Sequence, residues 1–110
     1  MSKERFRKQI ADCTCLVTKR YEGIEEHLYV SPVALVYDVV IVEEKGRHYS
    51  RRCPMVHALV PLSRGTAQFL IQKIKGLPAK EAFDYLKRIL NENWKAGKVC
   101  NESFRILPYR

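Results

Sequence analysis

The stretch VALVYDVVIV, residues 33–42, decides the fold. Every residue in it except Asp38 is apolar or aromatic, and β-branched valine and isoleucine dominate. The apolar residues do not alternate with polar ones, which is the pattern of a strand whose two faces are both largely covered. The stretch therefore predicts a central strand of a β-sheet.

A hairpin is predicted on the C-terminal side of this strand. EEKG, residues 43–46, supplies a turn in which Gly46 can adopt a positive φ, and RHYSRR, residues 47–52, follows as the antiparallel return strand. Because side chains alternate along a strand, Arg47, Tyr49 and Arg51 share one face of it. His48, Ser50 and Arg52 share the other face.

The N-terminal side carries weaker signals. In SKERFRKQIAD, residues 2–12, Phe6 and Ile10 lie four positions apart among basic residues, which predicts a short amphipathic helix. CLVTKRY, residues 15–21, favours a strand, and EGIEEH, residues 22–27, favours a turn or loop.

The second half of the chain changes to a helical period. Ser63 is a good N-cap and Gly76 a good stop for a first helix with one apolar face, formed by Ala67, Leu70, Ile71 and Ile74. A second helix with Pro78 in its first turn ends at Gly97. Its predicted buried residues are Ala82, Phe83, Leu86, Ile89 and Leu90, with Trp94 as a further candidate. The tail SFRILPY, residues 103–109, predicts an edge strand, which tolerates Pro108.

These elements predict an α+β fold. It has an antiparallel sheet of three to five strands, with a helical hairpin and a short N-terminal helix packed on one face. A chain of 110 residues with 46% apolar residues builds one core, so residues 1–110 are predicted to form a single domain. The other face of the sheet is left open for function.

The net charge narrows the class of partner. Twenty Lys and Arg against twelve Asp and Glu give a formal charge of +8, which attracts nucleic acid or, alternatively, an acidic protein partner. No apolar run approaches the ~18 residues of a membrane helix, and the N-terminus lacks the apolar stretch of a signal peptide. We therefore expect a cytoplasmic protein without membrane contact. No paired carboxylates or Ser–His–Asp pattern indicates an enzyme.

The predicted return strand is the leading candidate for a nucleic-acid site. Arginine matches phosphate oxygens with two parallel hydrogen bonds, and an exposed tyrosine between arginines offers a stacking surface for a base. Arg47, Tyr49, Arg51 and Arg52 are the predicted contacts. The alternative is a solvated edge strand whose arginines only discourage pairing with other chains.

Two further basic features extend this hypothesis. Arg64 lies in the first turn of the first helix, where an anion bound by Ser63, Gly65 and Thr66 would offset its unfavourable position. The alternative there is an ordinary capped helix. Polar and charged residues at helical spacing form a row on the second helix. This row either extends the positive surface or is simply the solvated face of that helix. That row is Lys80, Asp84, Lys87, Asn91 and Lys95.

The cysteines give a rival hypothesis. A possible Cys₃His site for zinc, which would stabilise the fold, consists of Cys13, Cys15, Cys53 and His57. Neither the first pair of these ligands nor the second has the usual two-residue gap between its members. Alternatively, Arg51 and Arg52 activate the thiol of Cys53, with His48 or His57 as a base. Pairing of Cys13 or Cys15 with Cys53 or Cys100 as a disulfide is a third option.

Residues 63–86, SRGTAQFLIQKIKGLPAKEAFDYL, resemble the helix–glycine–helix segment of sulfur-acceptor and iron–sulfur scaffold proteins. They are equally similar to the early helix of a bacterial large-subunit ribosomal protein family. The first resemblance implies helices that follow an antiparallel sheet. Leu59 to Leu62 stand where the scaffold families have a cysteine, and the basic hairpin of the ribosomal family is missing after the helices. No functional residue is carried over from either family.

Overall fold

A six-stranded antiparallel sheet forms the body of the protein, in a computed structural model that describes residues 4–11, 13–45 and 49–103. Each strand pairs with its neighbour in the chain, so the spatial order equals the sequence order. This confirms an α+β fold with an antiparallel sheet. The strands are β1 (Arg5–Ala11), β2 (Thr14–Tyr21), β3 (Ile24–Val30), β4 (Ala34–Lys45), β5 (Tyr49–Pro61) and β6 (Cys100–Ser103).

The predicted N-terminal helix is wrong, because its residues form the edge strand β1. Phe6 and Lys8, two positions apart, both lie on the face of the sheet that the helices cover. The Lys8 ammonium donates to the carbonyl oxygen of Ile74, 3.1 Å away, and to that of Leu77. These bonds satisfy carbonyl groups at the end of a helix, which explains how a charged residue occupies an inward position. With β1 the sheet has six strands, one more than the upper limit of the predicted three to five.

A tight turn replaces the predicted loop of residues 22–27. Glu22 and Gly23 both have positive φ, +49° and +76°, as a two-residue hairpin turn requires. A Cβ at Gly23 would lie 3.3 Å from the carbonyl oxygen of Val42, so glycine also permits a close approach of β4. The residues after this turn belong to β3.

The two helices are α1 (Arg64–Lys75) and α2 (Ala79–Lys95). Ser63 caps α1 as predicted, since its side chain accepts a hydrogen bond from the backbone N–H of Thr66 at 3.2 Å. The predicted buried face of α1 is confirmed in full. Most of the predicted face of α2 is buried too, but Trp94 is 43% exposed near its C-terminal end.

Each helix packs mainly on the sheet and makes few contacts with the other, so the predicted helical hairpin is wrong. Phe83 of α2 meets Phe6 of β1 edge to face, with ring centres 5.7 Å apart. The core combines one face of β2 to β5 with both helices, and burial of these side chains supplies most of the stability. Its fully buried large members include Val17, Leu28, Val30, Leu35, Ile74, Leu86 and Leu90.

Among the described residues no helix lies on the opposite face of the sheet, and we call it the open face. Alternation along each strand places Leu16 and Thr18 of β2 there, between the buried Cys15 and Val17. Along most of this face the side chains are exposed or half-buried; Glu25 and Val36 are exceptions. The open face is therefore the largest part of the sheet available to a partner.

Strands β4 and β5 continue past the sheet as a two-stranded ribbon, defined as residues 42–45 and 49–52. Strand β3 ends with Ile24 opposite Ile41, and β6 pairs only with Val56 to Leu59. Val42 still donates a backbone hydrogen bond to the carbonyl oxygen of Gly23, and beyond it the described residues of β4 pair with β5 alone. Ser103, the first residue of the edge strand predicted for residues 103–109, is the last residue of β6. Residues 104–110, including Pro108, lie outside the described residues.

Candidate nucleic-acid interface

The ribbon carries most of the basic positions that the sequence singled out. Tyr49, Arg51 and Arg52 belong to β5, and Arg51 lies opposite Glu43 in the backbone register. Arg47 lies outside the described residues. The fold thus holds three of the four predicted contacts on an element that projects from the body.

A cluster of arginines lies on the open face at the end from which the ribbon extends. Arg5 of β1 is directly opposite Arg20 of β2, and Arg7 follows two positions along β1 on the same face. All three are exposed. Like charges directly opposite each other on a sheet repel. Glu25 lies opposite Arg20 on its other side.

A row of polar side chains crosses the open face from β1 to β5. Register places Arg7, Thr18, His27, Asp38 and His57 next to one another in that order. The Thr18 hydroxyl and Nδ1 of His27 are 3.0 Å apart, and Nδ1 of His57 is 2.5 Å from Oδ1 of Asp38. The row presents donors and acceptors along a line across the strands.

Carboxylates hold both imidazoles of this row in place. Nε2 of His27 lies 3.4 Å from Oε1 of Glu25, which is buried. Its other nitrogen contacts Thr18, so the ring is fixed from both sides. Such rigid side chains suit recognition of a ligand, because little freedom is lost when the ligand binds.

The open face contains two adjoining depressions that share Leu16 and His27. The larger, of about 410 Å³, is also lined by Thr14, Tyr29 and Asp38. The smaller, of about 160 Å³, reaches Arg7 and Gln9 at the β1 edge. Burial, followed by the charge of Asp38, raises the pKa of Tyr29, so its hydroxyl stays neutral.

Arg64 is separated from the other predicted contacts. It is exposed and begins α1 just after β5 ends at Pro61, whereas the ribbon lies at the start of that strand. Thirteen residues of β5, at ~3.3 Å each, span roughly 40 Å. Arg64 borders a hollow with Cys13 and Gln72 instead. The predicted residues therefore do not form one compact site.

Lys87 points inward, contrary to its predicted place on the solvated face of the second helix. Its ammonium lies 2.6 Å from Oε1 of Glu26 and 2.7 Å from the hydroxyl of Tyr37. The Tyr37 and Tyr21 hydroxyls also donate to Glu26, at 2.5 and 2.9 Å. Lys80, Asp84, Asn91 and Lys95 are exposed as predicted.

This buried cluster has shifted pKa values with clear causes. Burial works to raise the pKa of Glu26, but the bonds from Lys87 and the tyrosines outweigh it and the pKa is lowered. Burial, together with the hydrogen bond to Glu26, raises the pKa of Tyr37 well above its ordinary value. The cluster therefore holds an ionised carboxylate and neutral tyrosines under the helices.

The four predicted zinc ligands lie apart. Cys13 is exposed in the β1–β2 turn, and Cys15 is buried under the helices opposite Val30. Cys53 is buried near the base of the ribbon, and His57 bonds Asp38 on the open face. Within the described ranges no three potential metal ligands converge.

Two of the four thiols, those of Cys15 and Cys53, are buried, whereas Cys13 and Cys100 are exposed. Burial raises the pKa of Cys15, an effect that Lys8 and Lys75 partly offset. Cys53 is 4% exposed, which restricts access to the thiol proposed as reactive. All four cysteines are free, so no predicted disulfide is formed.

Comparison with protein-family models, with curated proteins and with solved structures found no match for this chain. Among the residues that the structure describes, no helix is long and apolar enough to cross a membrane. The function is therefore inferred from the geometry and charge of the open face and the ribbon.

The sequence missed the arginine cluster and the polar row. Both depend on β1 and β3 being strands, and on the register that the turn at Glu22 and Gly23 sets between β2 and β3. The signal was the pair of turn residues Glu22 and Gly23, flanked by segments of mixed polarity. With that turn assigned, Thr18 falls opposite His27 and Arg20 opposite Glu25.

Proposed function

We propose that this protein binds RNA or DNA, mainly through phosphate groups, with the ribbon and the arginine cluster of the open face. One observation carries the proposal: Arg5 lies opposite Arg20 at the end of the sheet from which the ribbon extends. This register places two exposed cationic side chains side by side, which favours contact with the phosphates of a polyanion.

The shape of the ribbon supports the same partner. A two-stranded ribbon fits the major groove of a duplex or lies along a single strand. Tyr49, Arg51 and Arg52 occupy positions on it, and the formal charge of +8 favours approach to a polyanion. Arginine pairs with phosphate through two N–H groups, so each contact also sets orientation.

The set of contacts we propose is Arg5, Arg7 and Arg20, with Arg51 and Arg52 of the ribbon. Arg47 remains a predicted contact, and so does Tyr49 at the far end of the ribbon. Arg64, roughly 40 Å from that end, is a separate contact that only a long nucleic acid would reach.

A salt titration against single- and double-stranded RNA and DNA tests the proposal. Fluorescence anisotropy would give the affinity of the purified protein for labelled 20-mers at rising salt concentration. We expect the logarithm of the binding constant to fall linearly with the logarithm of salt concentration. The expected slope is about −0.7 to −0.9 per phosphate contacted, hence about −3 or steeper.

Two results would point to the rival functions. No binding to any of the four nucleic acids, with capture of an acidic protein, would assign the charge to a protein partner. Stoichiometric zinc in the purified protein, or one unusually fast thiol, would favour the cysteine-based hypothesis. Either result without nucleic-acid binding overturns the proposal.

A further inference from the structure

The larger depression of the open face has an aromatic and apolar lining. Tyr29 and Leu16 lie opposite each other on β3 and β2, and both are half-buried. The volume of about 410 Å³ is in the range of small-ligand sites. Tyrosine side chains stack on unpaired nucleobases because every base has a π-face.

Two polar atoms in this depression have unused hydrogen-bonding capacity. Asp38 accepts a bond from His57 through Oδ1, and its Oδ2 has no hydrogen-bond partner among the described residues. The Tyr29 hydroxyl also lacks a partner in the described part of the chain. Both side chains are half-buried. Their free polar atoms are therefore open to a ligand that carries hydrogen-bond donors.

The chemistry of the four bases selects one of them. A carboxylate accepts two hydrogen bonds from adjacent donors, and an ionised Asp38 can donate none. Guanine presents N1–H and the N2 amino group side by side, whereas adenine, cytosine and uracil each mix a donor with acceptors on that edge. The hydroxyl of Thr14, which also lines the depression, can donate to the guanine O6 atom.

From this geometry we infer that the depression binds an unpaired guanine base of a single-stranded nucleic acid, stacked on Tyr29 with its donor edge on Asp38. The inference rests on the proposed function and adds to it a base preference. It also implies that the strand is unpaired at this position, because a base inside a duplex cannot enter the depression.

The neighbouring depression accommodates the backbone of the same strand. It shares Leu16 and His27 with the base site and ends at Arg7. Arg7 is exposed, and no interaction of its guanidinium with other described residues is formed. A phosphate next to the bound guanine would therefore meet a free arginine, and the strand would continue toward Arg5 and Arg20.

The test uses labelled uridine nonamers with guanosine, adenosine, cytidine or uridine at the central position. Anisotropy should show that the guanosine oligomer binds at least fivefold more tightly than the other three. An oligomer with inosine, which lacks the N2 amino group, should lose most of this preference with the unaltered protein. Asp38→Asn should abolish the preference, because an amide presents a donor where the carboxylate accepts.

The stacking contact has its own matched variants. Tyr29→Leu should weaken binding of the guanosine oligomer at least fivefold. Tyr85→Leu changes a half-buried tyrosine on α2, away from the open face, and should leave binding unchanged. Circular dichroism melting curves verify that each variant is folded.

The outcomes separate the two proposals. If all four oligomers bind equally, or if the preference survives inosine and Asp38→Asn, the guanine site is overturned while the proposed function stands. If no oligomer and no longer nucleic acid binds, the proposed function fails and the guanine site with it. Equal binding of adenosine and guanosine would also overturn the guanine site, since Asp38 would then not select the base.

Discussion

Replacing Lys87 with methionine should destabilise the protein by more than its position on a helix surface suggests. The Nζ atom of Lys87 lies 2.6 Å from Oε1 of Glu26, and the Glu26 side chain is only 8% exposed. Methionine keeps most of the apolar contact of the lysine stem but removes the charge. Lys87→Met therefore isolates the loss of the partner of a buried carboxylate.

The expected loss in the free energy of unfolding depends on the hydrogen-bond partners that Glu26 keeps. Removing one partner of a buried ion pair costs about 3–5 kcal/mol. Tyr21 and Tyr37 still donate to the carboxylate, and the Lys87 side chain is 30% exposed, so the cost should lie at or below the lower limit of this range. We expect the free energy of unfolding to fall by about 2–3 kcal/mol at pH 7. Glu26→Gln should cost less, since a lysine left alone at 30% exposure can reach water.

Urea unfolding, followed by circular dichroism, measures these changes at several pH values. In the native protein the pKa of Glu26 is lowered, so its contribution is present above pH ~4.5 and is lost as the pH falls through the folded pKa. In Lys87→Met the uncompensated burial favours the neutral acid, so protonation relieves the penalty. The difference between the two proteins should therefore begin to shrink above pH ~4.5, where Glu26 of the variant takes up its proton, and should shrink further as the pH falls.

A double-mutant cycle supplies the control. Glu26→Gln combined with Lys87→Met should cost less than the sum of the single changes, because neither charge is then left without its partner. A cost below ~1 kcal/mol for Lys87→Met, an additive cycle, or a difference that does not vary with pH would refute the role assigned to this cluster.

Two further predictions concern the cap of α1 and the thiols. Ser63→Ala should lower the free energy of unfolding by about 1 kcal/mol in urea titrations, since the Thr66 N–H loses its acceptor, whereas Ser63→Asp should retain most of the stability. A colorimetric thiol reagent at pH 8 should modify the exposed Cys13 and Cys100 quickly and the buried Cys15 and Cys53 only on unfolding; four equally fast thiols would contradict the described packing.

The elements that the sequence predicted well are those whose own residues decide their structure. Residues 34–42 are almost uniformly apolar and belong to the interior strand β4. In the described part of the chain only one of its two faces is covered by helices, although the pattern predicted that both would be covered. In α1, Ser63 and the helical spacing of the apolar residues specify both the start and the buried face. In these segments local propensity and tertiary packing agree, so the pattern needs no distant information.

The elements that the sequence mispredicted have a charged residue at an inward position. Lys8 interrupts the inward face of β1, and Glu26 interrupts that of β3. Each is satisfied by a partner far along the chain: helix-end carbonyl groups for Lys8 and Lys87 for Glu26. A local pattern contains no sign of those partners, so the alternation typical of a strand was hidden.

The candidate site was predictable only in part for the same reason. Its basic character and the ribbon positions Arg51 and Arg52 follow from a local hairpin signal. The juxtaposition of Arg5 with Arg20 requires the pairing of β1 with β2, which depends on β1 being recognised as a strand. Arg64 could not be placed from sequence, because its distance from the ribbon follows from the direction of β5.

The most direct measurement compares two double variants with the same change in charge. Arg5→Gln/Arg7→Gln removes two arginines of the open face, and Lys80→Gln/Lys95→Gln removes two exposed lysines of α2. The account predicts that the arginine pair makes the salt slope of nucleic-acid binding shallower by about 1.4–1.8, while the lysine pair leaves it nearly unchanged. Equal changes in slope for the two variants would mean that only net charge matters, and would contradict a binding site on the open face.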